Sequence, residues 1–310
     1  MIITHGFIGI DVSKAVLDVF EGGGKQTYRI ANTEDALASL IQRWKPCGVF
    51  VLFEATGHYD ARLRRALASA GIAFARVNPA RARDFARAAG FLAKTDSIDA
   101  RMLAAMAQSL APAATTATDD DREGLALAHK RRDQLVLTRQ QERTRRTECH
   151  DAMLRADIEA HLEWLDARIA HWDEEIRRRL AQSERLNQVA RLLRSIPGIG
   201  PVAAATLIAL MPELGVLQAK KITAIAGLAP FNVDSGQFRG MRRIKGGRKR
   251  VRDALYMAAV AATRSHDRFK TQYRRLRAAG KPAKVAFIAI ARKLLITANA
   301  VLRDQTAFQT

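Results

Sequence analysis

The chain has 310 residues, with 51 Lys and Arg against 31 Asp and Glu, a formal net charge of +20, and 48% hydrophobic residues. That length accommodates two or three domains with ordinary cores, and the hydrophobic content is too high for a disordered basic tail. The charge argues against an acidic binding module and points to a polyanionic partner, nucleic acid in preference to an anionic membrane surface.

FIGIDVS, VLDVF and QTYRIAN read as three short strands, the last two separated by the turn-forming Gly22-Gly23-Gly24. Thr33-Glu34-Asp35 opens an amphipathic helix that runs to Trp44, with Leu37, Leu40 and Ile41 on one face. GVFVLFEATG is a continuous apolar run closing in Glu54, the pattern of a central strand buried on both faces. A helix from about Tyr59 to Ala70, a strand at FARVNP and a helix from Pro79 follow. This order predicts an α/β domain over a mixed sheet in residues 1–110, closed by a linker at Ala111–Thr116.

From about Thr118 to Arg194 the sequence is strongly helical. Leu125, Leu135, Leu154, Ile158, Leu162, Leu165, Ile169, Trp172, Ile176 and Leu180 recur at three- and four-residue steps between charges of both signs. The expectation for residues 111–194 is a long antiparallel hairpin or coiled-coil arm, serving as spacer, oligomerisation element or nucleic-acid arm. After residue 195 Gly, Ala and basic residues dominate. SIPGIGPVAAATLIALM opens a mostly α C-terminal domain over 195–310, which ends in a basic amphipathic helix at Lys281–Leu302. The charge divides unevenly: +4 over residues 1–110, −2 over 111–190 and +18 over 191–310. Segregation on this scale marks the last segment as a binding surface.

Two apolar strands end in acid, at Asp11 and at Glu54, and acids at strand ends face the crevice where ligands bind in α/β sheets. In KTDSIDARML, Asp96 and Asp99 are three apart, so at a helix start they share a face. Each acid alone has a plain explanation as a turn residue or a first-turn helix charge. Four converging carboxylates would instead hold hard Mg²⁺ ions suited to phosphoryl oxygens. Asp18, Glu21, Asp60 and Asp84 sit in amphipathic or loop contexts and are expected at the surface.

Ile196-Pro197-Gly198-Ile199-Gly200-Pro201 before an Ala-rich helix resembles a helix-hairpin-helix, in which Gly198 and Gly200 would let backbone N–H groups approach a phosphate. A tight interhelical turn is the plainer alternative. Eight of the fourteen residues from 239 to 252 are basic: Arg239, Arg242, Arg243, Lys245, Arg248, Lys249, Arg250 and Arg252. Glycines at 236, 240, 246 and 247 make this stretch a loop that delivers cations to a phosphate backbone, with Ser235 at its head. Such cations would stabilise the charge that develops when a serine hydroxyl attacks phosphorus.

Cys47 and Cys149 have neither disulfide-framework nor zinc spacing. MIITHGFIGIDVSK lacks a signal-peptide pattern, and the best apolar run, Ala283–Leu302, is interrupted by Arg292 and Lys293. A cytoplasmic protein without a membrane span is expected.

IGIDVSK, the FEATGHY around Glu54 and KTDSIDARMLA resemble the three acidic blocks of insertion-sequence transposases of the IS one-ten family. SIPGIGPVAAATLIA, GLAPFNVDSG and RRIKGGRKRVRDALYMAA resemble that family's second conserved region, in the same order over nearly the whole chain. The resemblance implies a RuvC-like domain of RNase H fold, a coiled-coil arm and a C-terminal transposase domain. It implies that Asp11, Glu54, Asp96 and Asp99 form a DEDD site for Mg²⁺ and that Ser235 is the nucleophile. It further implies recombination of donor and target DNA through a circular intermediate, a structured non-coding guide RNA, and dimers that pair into a tetramer with composite sites. Piv-type invertases share the layout. One departure is Ser97, where the family often carries a basic residue after the first Asp of its DxxD block.

The alternative is a RuvC-like, metal-dependent junction endonuclease that uses the same acids to hydrolyse DNA with activated water. GIDVSK also resembles the first phosphate loop of an actin-like sugar kinase. No second phosphate loop or adenosine-binding glycine pair is evident, however, and the +18 segment has no role in that reading. A non-catalytic RNA-binding protein is the remaining alternative.

Overall fold

Ile8, Ile10 and Val12 are buried and alternate with Phe7, Gly9 and Asp11, so strand β1 (Phe7–Val12) presents a different face to each of two layers. The computed structural model describes residues 6–24, 26–55, 57, 59–91, 96–115, 120–231, 234–235, 238–239 and 243–309, with the backbone alone at 97, 234, 235, 238 and 239. Among these residues β1 is the centre of a five-stranded sheet of order β3-β2-β1-β4-β5. β2 (Val16–Glu21) and β3 (Tyr28–Ala31) form an antiparallel meander with β1, whereas β4 (Phe50–Glu54) and β5 (Ala73–Val77) run parallel to it. The three strands expected before residue 31 and the buried strand ending in Glu54 are all present.

One face of the sheet packs on α1 (Glu34–Trp44) and α2 (Ala61–Ser69), with Leu37, Leu40, Trp44, Leu63 and Leu67 against Ile8, Ile10 and Val12. The other face carries α3 (Pro79–Ala88) and α4 (Asp96–Leu110), whose Met102, Leu103 and Met106 meet Leu52 and Ala75. Helix α3 starts as sequence dictates, with Pro79 in the first turn and Asn78 accepting from the Ala80 N–H at 2.8 Å. A Cβ built on Gly9 would stand 2.0 Å from the Ala100 carbonyl oxygen and 2.4 Å from the Ala104 nitrogen. Only glycine lets α4 lie this close to β1. The segment read as a linker is tied to edge strand β5: the Thr115 N–H donates to the Phe74 carbonyl at 2.7 Å, and the Arg76 N–H to Thr115 Oγ1 at 2.9 Å.

The chain divides into two compact units, residues 1–117 and 118–310. The second opens with α5 (Asp120–Glu148) and α6 (Ala152–Gln182), an antiparallel hairpin held by Leu135, Leu165 and Ile169 and by Arg132–Asp173 at 2.7 Å. Its base is rooted in the C-terminal core, because Leu125, Ala128 and Ile176 pack with Leu193, Ile208, Leu255 and Leu294. Its apolar stripe continues to the tip, where Met153 and Leu154 are exposed. The core is completed by α7 (Glu184–Arg194), α8 (Pro201–Leu210), α9 (Ala219–Ile225), α10 (Lys249–Ser265), α11 (Asp267–Ala278) and α12 (Ala283–Asp304).

Helix α12 is long and apolar enough to cross a membrane, but Ile290, Ala291, Leu294, Leu295 and Ala298 bury its apolar face in this core. Between α9 and α10 lie four two-residue strands where sequence reading expects only a loop. They are β6 (Pro230–Phe231), β7 (Asp234–Ser235), β8 (Phe238–Arg239) and β9 (Arg243–Ile244), paired β6 with β9 and β7 with β8.

Candidate active site

Strand register gathers the acids. Asp11 on β1 is the cross-strand partner of Asp18 on β2, and Asp18 is in turn opposite Arg29 on β3. One step past the Ile10–Phe53 pair, β4 ends in Glu54 beside Asp11, at the C-terminal ends of two parallel strands. The alternation of β1 turns Asp11 toward the α4 face, where Gly9 admits the helix, and α4 opens with Asp96 and Asp99 in its first turn. Carboxylate oxygens of Asp11, Asp18 and Asp96 lie within 4.8 Å of one another. Segments as distant as β1 and α4 are thus brought to one point.

Asp18 is a correction: expected at the surface, it is 7% exposed. Arg29 makes it possible, giving Nε and Nη2 to the two Asp18 oxygens at 3.0 Å each, while Nη2 also reaches Asp96 at 3.1 Å. Asp60 is a second correction, fully buried between Arg64 at 3.2 Å and Arg76 at 2.5 Å. Glu21, also expected outside, accepts from the Tyr28 hydroxyl, Arg43 and the Trp44 indole. The side chain of Ser97 lies outside the described residues.

Burial pushes the Asp11 carboxyl up to about 6, and the charges of Asp99, Asp96 and Asp18 add to the rise. Burial thus leads and the acidic neighbours add to it, while Arg29 gives its bonds to Asp18 and Asp96. An all-oxygen, electron-rich set of this kind fits a hard divalent cation.

The second group of expected site residues lies on the β6–β9 stem and beyond it. Ser235 ends β7 and pairs with Phe238 of β8, and Asp234 pairs with Arg239, so the serine stands on a short hairpin carried by that stem. The side chains of Ser235 and Arg239, and the whole of Arg242, lie outside the described residues.

The root of the stem is tightly built. A Cβ on Gly247 would lie 2.2 Å from the Gly227 nitrogen, and the Arg248 N–H donates to the Ile225 carbonyl at 2.9 Å. Arg248 then clasps Glu213 through both carboxylate oxygens at 2.6 Å each and donates to the Leu210 carbonyl at 2.7 Å. Lys249 pairs with Asp253 at 2.6 Å, Arg250 pairs with Asp133, and Arg252 donates to the Gly246 carbonyl at 2.8 Å. Arg243 and Lys245 precede this clasp on the serine side.

Asp133 also lies 3.0 Å from His129 Nδ1, off the line of a hydrogen bond, and His129 Nε2 meets Thr206 Oγ1 at 2.7 Å. Burial, with the charges of Arg250 and Arg132, holds His129 down at about 4, so it is neutral at physiological pH.

The glycine hairpin has two different halves. Gly198 has φ of +85°, and a Cβ there would come 2.3 Å from the Ala258 carbonyl oxygen, so its bare face belongs to the packing on α10. Gly200 caps α8 with open space around it.

Clustered carboxylates in one unit and a segment rich in basic residues in the other suit an enzyme that acts on a phosphate polymer. A family model described as a transposase, of the DEDD type, matches residues 8–153. The model of the IS116/IS110/IS902 transposase family matches residues 190–274. The chain is 28% identical to the pilin gene-inverting protein of Moraxella lacunata over 314 residues, covering 97% of each chain. The Moraxella bovis protein of that name gives the same identity and coverage. An insertion element IS116 uncharacterized 44.8 kDa protein of Streptomyces clavuligerus is 32% identical over 154 residues, 49% of this chain and 38% of that one. The chain carries transposase domains of the IS116/IS110/IS902 family and is a DNA-cutting and rejoining enzyme.

Proposed function

We propose that this transposase cuts and rejoins DNA through a transient bond to Ser235, with Mg²⁺ held by Asp11, Glu54, Asp96 and Asp99. The observation that carries the reading is the gathering of carboxylates on one sheet face, with Asp11 pushed up to about 6 by burial and its acidic neighbours. The meander of β1–β3 followed by the parallel β4 and β5 supports an RNase H-like, RuvC-like assignment for residues 1–110.

Ser235 Oγ attacks the phosphorus, the bond to the 3′-oxygen breaks, and the serine proton passes to that leaving oxygen, giving a 5′-phosphoserine. Religation reverses the step with a different 3′-hydroxyl. A bound Mg²⁺ supplies charge neutralisation at the phosphoryl oxygens. Arg29 keeps Asp18 paired beside Asp11, and Arg243 and Lys245 on the serine side of the clasp hold the DNA backbone with Arg239 and Arg242.

A structured non-coding RNA would select donor and target by base pairing while the protein reads shape and charge. The exposed Leu137, Met153, Leu154 and Trp164 support the hairpin of α5 and α6 as a coiled-coil arm that joins copies of the chain into dimers and tetramers. Strand exchange by Ser235→Ala tests the serine: loss is expected, and full activity contradicts it. Sequencing of RNA that co-purifies with the protein tests the guide. One structured species from DNA flanking the gene is expected, and random RNA contradicts it.

A further inference from the structure

Residues 264–284 carry eight basic side chains and one acidic, as many basic side chains as the serine loop has over 239–252, spread over a longer stretch. Helix α11 within this stretch is amphipathic: Phe269 is buried, Tyr273 and Leu276 are half-buried beside it, and Arg268, Arg274, Arg275 and Arg277 are exposed. Lys281 and Lys284 extend the exposed cations into the start of α12.

Among the described residues none of these six is in an ion pair. Arg277 is bonded to the Lys281 carbonyl at 2.6 Å, a contact that leaves its charge unneutralised. The hairpin of α5 and α6 instead pairs most of its arginines, among them Arg139 with Asp166, Arg155 with Glu159, Arg177 with Glu174 and Arg178 with Glu175. At the root of the serine stem Arg248, Lys249 and Arg250 likewise have acidic partners. Bare like charges on one helix repel one another. The helix dipole favours Arg275 and Arg277 near the C-terminus but disfavours Arg268 in the first turn, so local helix energetics do not account for the set.

We infer that the outer face of α11, with Lys281 and Lys284, docks the phosphate backbone of duplex DNA at a place separate from the serine hairpin. Helix α10 has 17 residues, so α11 starts about 25 Å of helix from the N-terminal end of α10, where the serine stem is rooted.

Duplex is favoured over single strand by the aromatic side chains. Single-strand grooves present exposed rings for base stacking. Here Tyr273 stacks on Phe287 at 4.7 Å and Tyr256 meets Phe287 edge-on at 5.6 Å, all half-buried, so the face offers cations without a stacking platform. The inference uses the DNA activity of the family and depends on neither Ser235 nor the metal.

The test is binding of a short random-sequence duplex by the full chain across roughly 50–200 mM salt, the range over which counterion release dominates. Arg268, Arg274, Arg275 and Arg277 are changed together to Gln, and a control of equal charge change replaces the paired Arg139, Arg155, Arg177 and Arg178. Each phosphate contact contributes about 0.9 to the slope of log affinity against log salt, so the α11 variant is expected to lose about 3–4 and the control less than about 1. An unchanged slope in the α11 variant overturns the inference. So does an equal fall in the control, or a fall seen with single-stranded RNA and not with duplex. If the fourfold variant melts below the assay temperature, Arg268→Gln and Arg274→Gln singly are expected to lose about 0.9 each. Slopes unchanged in both singles contradict the docking face.

Discussion

Arg29 of β3 and Asp96 of α4 meet at 3.1 Å across 67 residues of sequence, with the same guanidinium holding Asp18 by two bonds of 3.0 Å. An arginine therefore occupies one side of the acidic cluster and draws charge from a carboxylate that a metal ion would need. Replacing Arg29 by Gln frees Asp96 and removes a nearby positive charge. Divalent-cation affinity, measured by titrating Mn²⁺ or Mg²⁺ into DNA-free protein, is expected to rise severalfold while metal-free thermal stability falls. Unchanged or weaker affinity contradicts this competition.

Gly9 gives a second test, because β1 and α4 touch through it at distances no Cβ tolerates. Gly9→Ala forces α4 outward, and overpacking of this kind costs about 1–3 kcal/mol. It also carries Asp96 and Asp99 away from Asp11. Denaturant melts are expected to show the loss, and cation titration a weakened site. A variant with wild-type stability and cation affinity contradicts the role of this contact.

These two residues show where sequence stops being legible. Asp11 and Glu54 stand out because each closes an apolar strand, and Asp96 with Asp99 because their spacing reads as one helical face. Asp18 is hidden: in VLDVF it looks like the polar face of a strand, and the helix covering that face begins 78 residues later at Asp96. Gly9 is hidden for the same reason. Gly198 reads as a phosphate-binding glycine, and its bare face also packs on α10, a partner that local spacing does not reveal. The strand and helix order of the first unit follows local periodicity and is readable; the two-residue strands β6–β9, too short to show a period, and the long-range contacts that set the acids' environment are not.

The clasp of Arg248 on Glu213, 35 residues away in sequence, fixes the root of the stem below Ser235. Arg248→Ala leaves Glu213 with unmet acceptors, at a cost of about 1–3 kcal/mol. Arg248→Lys restores the charge but not the two-point geometry, so partial recovery is expected. Chemical denaturation measures the stability. If both variants keep wild-type stability, the clasp is not what holds the stem.

Asp11 and His129, one in each unit, contribute to acid stability in opposite senses. Asp11 titrates near 6 in the folded protein against 3.8 as its ordinary value, so the folded form holds more protons and stability is gained as pH falls from about 6 to 3.8. His129 titrates near 4 against 6.5, so the unfolded form holds more protons and stability is lost as pH falls from about 6.5 to 4. Across this range Asp11→Asn is expected to steepen the acid loss and His129→Gln to flatten it, read as melting temperature against pH. Identical profiles for the two variants and wild type contradict both assignments.

The central claim is that the acids and the serine act together on one phosphodiester. The most direct measurement is denaturing electrophoresis of labelled donor DNA after reaction with the full chain, Mg²⁺ and its co-purified RNA, followed by peptide mapping of any protein-linked DNA. The expected result is a covalent adduct mapped to Ser235, absent in Ser235→Ala and strongly reduced in Asp11→Asn. Strand cleavage without an adduct, with Ser235→Ala as active as wild type, would mean that the acids hydrolyse DNA alone and would contradict the account.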